Sequence, residues 1–304
     1  MTDGNIRGFI IKNVSGLYFV TANGGVILCR ARGLFRKSGQ TPLAGDHVTI
    51  RVNDDGTGYI DGILPRKNAL IRPPAANIDQ AVIIASAAPP ATSALVIDKM
   101  CVICESLGVS VVVAVNKSDL DPGADMLKTY AAAGYANLSI SAATGAGING
   151  LKALLQDKVT ILTGNSGVGK SSVINAMGVV TAAIETDELS VRSGRGKHTT
   201  RTVEFFPLKS APMGAHGGYI ADSPGFSLLD EKYIPFPPKE RLAEAFPEFA
   251  PYMGECRFDD CSHTREQGCA VIGARDAGRL SKSRHDSYTA IYDIVKDIKS
   301  WDKR

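Results

Sequence analysis

The stretch GNSGVGKS, Gly164–Ser171, decides how this chain is read. Gly164 and Gly169 let the backbone come close to a ligand, and Lys170-Ser171 close the loop with a cation and a hydroxyl. The apolar run Val159–Thr163 predicts a strand ahead of it, and Lys170–Met177 a helix behind it, the setting a phosphate-binding loop requires. There the loop N–H groups and the helix N-terminus face phosphate, Lys170 reaches the β and γ oxygens, and Ser171 places a hydroxyl on Mg²⁺. The expected contact set is Gly164, Asn165, Ser166, Gly167, Val168, Gly169, Lys170, Ser171 and Ser172.

Upstream of this loop the chain has the texture of parallel βα units. Asp79–Ser86 and Val109–Val115 are near-continuous apolar runs suited to buried parallel strands, with Ser93–Leu107 of helical length between them. The second run ends at Asn116-Lys117-Ser118-Asp119, where an open parallel sheet presents ligand-binding residues. Beside a phosphate loop this tetrapeptide has a specific chemistry. The Asp119 carboxylate accepts two hydrogen bonds that guanine donates and adenine does not, Asn116 braces the loop, and the Lys117 stem lies along the ring. Strand Leu138–Ile140 then runs into Ser141-Ala142-Ala143-Thr144-Gly145, a small-residue loop able to offer a backbone N–H to the guanine carbonyl. Helix Ile148–Gln156 follows. Guanine recognition therefore precedes phosphate binding, a circular permutation that βα sheets tolerate because their chain ends lie close together.

Downstream, the polar loop Glu185–Thr202 contains Arg192, Arg195, Lys197, His198, Thr199, Thr200 and Arg201, matching a switch whose threonine senses Mg²⁺ and the γ-phosphate. Strand Gly218–Ala221 leads into Asp222-Ser223-Pro224-Gly225, with Asp222 toward Mg²⁺ through water and the Gly225 N–H toward the γ-phosphate. The next residue is Phe226, where many GTPases carry the glutamine that orients water. His198 is the polar residue best placed in sequence to take over that work as the catalytic group.

The N-terminal region has a different character. Arg7–Ile11, Leu17–Thr21, Val26–Arg30, His47–Val52 and Tyr59–Leu64 read as five strands without a helix, joined by hairpin turns such as Asn23-Gly24-Gly25. Five strands favour a small OB-type barrel. Seven Lys and Arg against two Asp and Glu fall within residues 1–52, and Arg30, Arg32, Arg36 and Lys37 sit in or beside one strand and loop, a pattern that attracts a polyanion. A Pro-containing stretch, Ile71–Ala76, separates this region from the βα units.

Pro235, Pro237 and Pro238 mark a second linker, before a helical stretch Lys239–Phe246. Cys256, Cys261, His263 and Cys269 then give C-x4-C-x-H-x5-C, three thiolates and an imidazole that close a tetrahedral, structural Zn²⁺ site. Cys101 and Cys104 lie mid-helix among apolar residues and read as packing. From Ser281 on, Tyr288, Ile291, Tyr292, Ile294, Val295, Ile298 and Trp301 form a helical apolar stripe. Arg275, Arg279, Lys282, Arg284 and His285, before and within its first turns, read equally as a second contact for phosphate or as a solvated helix end.

At 304 residues, 44% hydrophobic and 21% charged with net charge +3, the chain has an ordinary globular composition with room for two or three domains. No apolar run approaches the roughly 20 residues of a membrane helix, and the start MTDGNIRGF lacks a secretory pattern, so a cytoplasmic protein is expected.

In the order NKSD, SAATG, GNSGVGKSS, GRGKHTT, DSPGF and CRFDDCSHTREQGC, the chain closely resembles the RsgA family, also called YjeQ or YloQ. These are circularly permuted, ribosome small subunit-dependent GTPases of bacteria. The resemblance covers nearly the whole length and implies a multidomain α/β and β fold. Its parts are an N-terminal OB barrel over 1–68, a permuted GTPase domain over 69–230 and a C-terminal helical zinc domain over 231–304. It implies GTPase activity with Mg²⁺, stimulated by the small subunit, with His198 catalytic, and rRNA contact through the outer domains of a monomer. After His198 the chain reads Thr-Thr-Arg where many members have a third Thr, which leaves open whether Thr199 or Thr200 meets Mg²⁺. An RNA-binding scaffold that does not turn over is disfavoured by intact Lys170, Ser171 and Asp222, and a kinase or ATPase by Asp119.

Overall fold

The structure is a computed structural model that describes residues 6–33, 35, 39–71, 74–179, 203–208, 217–222 and 236–298. In chain order its elements begin with β1 (Ile6–Val14), β2 (Leu17–Ala22), β3 (Gly25–Ala31), β4 (His47–Val52) and β5 (Gly58–Ile63). The short pair β6 (Ala69–Leu70) and β7 (Ala75–Ala76) follows. Then come β8 (Gln80–Ser86), α1 (Ala94–Ser106), β9 (Ser110–Asn116), α2 (Ala124–Ala132), β10 (Ala136–Ser139) and α3 (Ile148–Leu155). The phosphate loop joins β11 (Val159–Thr163) to α4 (Lys170–Ala176), and β12 (Glu204–Pro207) and β13 (Tyr219–Asp222) form a hairpin. Three short 3-10 turns over Lys239–Arg241, Ala243–Ala245 and Pro247–Tyr252 precede α5 (Ala270–Asp276) and α6 (Lys282–Val295).

The chain folds into two compact units, the first made of residues 1–78, 155–160 and 174–224. Its centre is a closed five-stranded barrel, β1–β2–β3–β5–β4, with β1 pairing back onto β4. Only β3 and β5 run parallel, and the remaining neighbours are antiparallel, which is OB-type topology. Alternate residues point inward, so Ile10, Tyr18, Val20, Cys29, Val48, Ile50 and Ile60 fill the barrel. β1 also pairs with β12 at Lys12↔Glu204, and those side chains form an ion pair at 2.7 Å. Phe9 stacks on Tyr219 at 4.5 Å and meets the edge of Phe205 at 5.6 Å. The barrel is therefore fastened to the hairpin that separates the two expected switch segments.

The second unit comprises residues 79–154, 161–173 and 225–304. β8, β9 and β10 are parallel neighbours in the order β10–β9–β8, with β11 beyond β8. β8 is buried over its whole length, and β9 over all but its first residue, as continuous Val, Ile and Ala runs require. One face of α1 packs on these strands and another on α6. Tyr288, Ile291 and Val295 of the predicted stripe are buried there, while Trp301 lies outside the described residues.

Two expectations are corrected. Lys239–Phe246 forms 3-10 turns rather than a helix, because Pro237-Pro238 and Pro247 bound a segment too short to nucleate an α-helix. Arg284 and His285, read as exposed contacts for phosphate, are buried at 1% and 2% exposure.

Candidate functional site

Within the second unit, Gly164, Gly167 and Gly169 all have positive φ, so the loop curls in a way side chains resist. At two of them space is also lacking. A Cβ on Gly164 would run into the Ile84 carbonyl of β8, and one on Gly169 would lie 2.5 Å from Asn116 Nδ2. Val168 is buried, whereas Ser166, Gly167, Ser171 and Ser172 are exposed and available to a ligand. Lys170 Nζ folds back to donate to the carbonyls of Gly164 at 2.7 Å and Asn165 at 3.0 Å. Those bonds satisfy two carbonyls of the loop and brace it from within. Asn165 Oδ1 is buried and finds no donor among the described residues.

Asn116 joins this loop to the loop that follows β10. Its side chain is buried, with Nδ2 donating to the Val168 carbonyl at 2.8 Å and Oδ1 accepting from the Ala142 N–H at 3.0 Å. Asp119 is exposed, and its Oδ1 accepts the Ser141 hydroxyl at 2.5 Å. Ser141 Oγ in turn accepts the Thr144 N–H at 3.2 Å, and the Ser118 N–H is tied to the Ile140 carbonyl. This arrangement fixes one carboxylate oxygen of Asp119. Ala143 is exposed at the tip of that loop. Lys117 adopts a left-handed backbone, φ 65°, and its Nζ donates to the Pro89 carbonyl at 3.1 Å.

A second cluster lies in the same unit, near the C-terminus. One ligand atom from each of Cys256, Cys261, His263 and Cys269 falls within 4.8 Å of the others. Cys256 Sγ is 3.8 Å from Cys269 Sγ, and His263 Nδ1 is 3.4 Å from each of those sulfurs. A tetrahedral ion with metal–sulfur bonds of about 2.3 Å and a metal–nitrogen bond of about 2.0 Å needs edges of about 3.8 and 3.5 Å. The four residues fit a metal. Backbone N–H groups at the start of α5 point at the thiols, Ala270 to Cys256 at 3.3 Å and Ile272 to Cys269 at 3.5 Å. Burial pushes the Cys261 thiol up to about 12 and lowers His263. With thiols so held, metal binding must release protons.

The loop between the ligands is pinned from two sides. The Glu266 carboxylate accepts from the N–H groups of Ser262, Thr264 and Arg265 and from the Ser262 hydroxyl. Burial opposes its ionisation, but these donors hold it at about 2. From α6, Tyr288 Oη donates to the Ser262 carbonyl at 2.7 Å and His285 to the His263 carbonyl at 2.8 Å. Arg275 lies 3.2 Å from His285 Nδ1 and can only donate, so Nδ1 accepts and Nε2 carries the proton.

A family model described as the RsgA GTPase matches residues 63–232, and one described as the RsgA N-terminal domain matches residues 7–60. The chain belongs to the RsgA GTPase family. It is 40% identical over 302 residues to the small ribosomal subunit biogenesis GTPase RsgA of Caldanaerobacter subterraneus subsp. tengcongensis, with 98% of each chain covered. Its fold is similar to YjeQ from Thermotoga maritima, at TM-score 0.77 and 31% identity, covering 97% of this chain and 99% of that one. It is also similar to YloQ, described as a circularly permuted GTPase, at TM-score 0.76 and 33% identity over 98% of each.

For an RsgA GTPase, the phosphate loop, Asn116–Asp119 and Ser141–Ala143 are thus placed as neighbours through Asn116. Asp222 ends β13. His198, Thr199, Thr200, Gly225 and Phe226, together with Arg36 and Lys37 of the barrel, lie outside the described residues. Cys101 and Cys104 are buried in α1, the latter pushed up to about 12 by burial, which makes them packing thiols. Sequence reasoning missed Asp98. It sits in the apolar face of α1 at 0% exposure and binds Arg284 Nη1 at 2.6 Å, while Glu248 takes Arg284 Nε at 2.5 Å. The signal was available, since a carboxylate among Val96, Ile97, Met100 and Cys101 requires a buried partner.

Proposed function

We propose that this chain hydrolyses GTP with Mg²⁺ as a late-stage maturation factor of the small ribosomal subunit, and that the subunit stimulates its turnover. The observation that carries the guanine-nucleotide reading is Asn116, which bonds the phosphate loop through the Val168 carbonyl and the base loop through the Ala142 N–H. Asp119 selects guanine. Gly164–Ser172 would cradle the phosphates, Ser171, one of Thr199 and Thr200, and Asp222 would hold the Mg²⁺ that offsets their charge, and the Gly225 N–H would face the γ-phosphate. His198 orients the attacking water in place of a glutamine, which Phe226 cannot replace.

In this reading the barrel, 1–68, and the C-terminal domain, 231–304, bind rRNA, and the GTPase domain spans 69–230, in a cytoplasmic monomer. The Cys3His cluster takes zinc, which bonds all four ligands and so is structural. The similarity to proteins named small ribosomal subunit biogenesis GTPase supports the partner. The test is GTP turnover with Mg²⁺, with and without purified small subunits. Stimulation in the wild type and its loss in His198→Ala with unchanged nucleotide affinity are expected. Turnover indifferent to the subunit overturns the partner, and stimulated turnover in His198→Ala removes that residue from the mechanism.

A further inference from the structure

On the outer face of the barrel, three neighbouring strands bring Arg30, Tyr59 and Arg51 into one row. Tyr59 of β5 is the cross-strand partner of Arg30 on parallel β3 and of Arg51 on antiparallel β4. The flanking residues Cys29, Gly58, Ile60 and Ile50 are buried, so by the two-residue period of a strand all three of these side chains point outward. Each is exposed, and Tyr59 retains 42% of its accessible surface. The next outward position on β5 is Asp61. It pairs with Arg32 Nε at 2.7 Å and with Arg51 Nη2 at 3.3 Å, which steadies the Arg51 guanidinium on this face. Arg30 has no ion pair among the described residues. The patch thus carries three arginines against one aspartate, around an exposed aromatic ring.

We infer that Arg30, Tyr59 and Arg51 form a stacking platform for single-stranded RNA, resting on the proposed role in ribosome assembly. The ring gives an unpaired base a flat apolar surface, and the arginines, about 4.8 Å away on the adjoining strands, meet the flanking phosphates. A lone tyrosine on a sheet surface is ordinary, but one bracketed by cations in register is complementary to a polyanion that carries exposed π-faces. The occupant is a single strand rather than a duplex, because A-form helices keep their bases stacked and offer phosphates and 2′-hydroxyls instead.

The probe is a fluorescein-labelled ten-nucleotide single-stranded RNA of mixed sequence, titrated with full-length protein, beside a duplex of the same length. Tyr59→Ala should weaken binding by about tenfold or more, and Tyr59→Phe, which keeps the ring, should bind like the wild type. Arg30→Ala should lower the slope of log K against log salt by about 0.7, the signature of one lost phosphate contact on a single strand. Far-UV circular dichroism and thermal unfolding of Tyr59→Ala that match the wild type report an intact barrel. Equal binding of the oligonucleotide by wild type and Tyr59→Ala, or equal loss in Tyr59→Phe and Tyr59→Ala, overturns the platform. Co-sedimentation with small subunits separates the two readings. If the wild type binds subunits while Tyr59→Ala matches it on both ligands, the platform falls and the assembly role stands. If oligonucleotide binding depends on the ring and subunits are not bound, the platform stands and the assembly role falls.

Discussion

Replacing Arg284 by Met removes a guanidinium from between two carboxylates and keeps most of the side-chain volume. Arg284 Nη1 donates to Asp98 at 2.6 Å, and Nε and Nη2 donate to Glu248 at 2.5 and 3.1 Å. Its plane lies 4.6 Å from the Phe246 ring centroid, against which a methionine can still pack. The cost is electrostatic. Asp98 is fully buried, and burial already raises its pKa against the pull of Arg284, so without the cation it must take up a proton. Protonating a carboxyl of ordinary pKa near 3.9 at pH 7 costs about 4 kcal/mol, which agrees with the ~3–5 kcal/mol for breaking a buried ion pair from one side. At pH 5 the same step costs about 1.5 kcal/mol. Between the unfolded and folded pKa values the folded variant binds the extra proton, so its stability falls as pH rises and recovers as pH drops. Urea unfolding of wild type and Arg284→Met at pH 7 and pH 5, with hydrogen exchange along α6, reads both numbers. The triple variant Arg284→Met, Asp98→Leu, Glu248→Gln should regain most of the loss, because apolar groups replace buried ions with little penalty. A deficit under 1 kcal/mol at pH 7, or one that grows toward pH 5, would refute the reasoning.

Asp119→Asn should cost GTP and GDP affinity tenfold or more, roughly one charge-assisted hydrogen bond, and shift preference to xanthine nucleotides, as read by competition against a fluorescent GDP. Gly164→Ala, strained at φ 144° and set against the Ile84 carbonyl, should abolish nucleotide binding in the same assay while far-UV circular dichroism stays near wild type. Chelation, or Cys261→Ser, should increase hydrogen exchange over Cys256–Cys269 and α5 while GDP affinity holds, and unchanged protection would count against a structural metal. The Glu266 carboxylate, held at about 2 from an ordinary 4.5, adds stability that is complete above pH 4.5 and is lost as pH falls toward 2. Glu266→Gln should therefore flatten the acid unfolding curve in that window, and a parallel curve would contradict the assignment.

Legibility in the sequence followed the range of the interaction. β11 and β4 appear at the boundaries read from apolar runs, and β1, β2, β3, β5, β8, β9, β10 and β13 within one to three residues, because strand periodicity and turn residues are local signals, whereas β12 was not read. The phosphate loop and Asn116–Asp119 were equally plain, since their chemistry is compressed into eight and four consecutive residues. Arg284 was misread because charge composition records sign and not burial, and its acidic partner Asp98 lies 186 positions away. The pairing of β1 with β12 is likewise invisible along the chain. Lys12 and Glu204 look like ordinary surface charges until the strands are set side by side. The Lys239–Phe246 stretch had helical composition, and proline spacing overruled it.

The separation of 186 residues between Asp98 and Arg284 also sets a clock on synthesis. At translation rates of about 5–20 residues per second, α1 leaves the ribosome some 10–40 s before α6 can cover it. Through that interval the α1 face that α6 covers stands open, with Asp98 lacking its cation. A chain that stops short of α6 never neutralises that carboxylate.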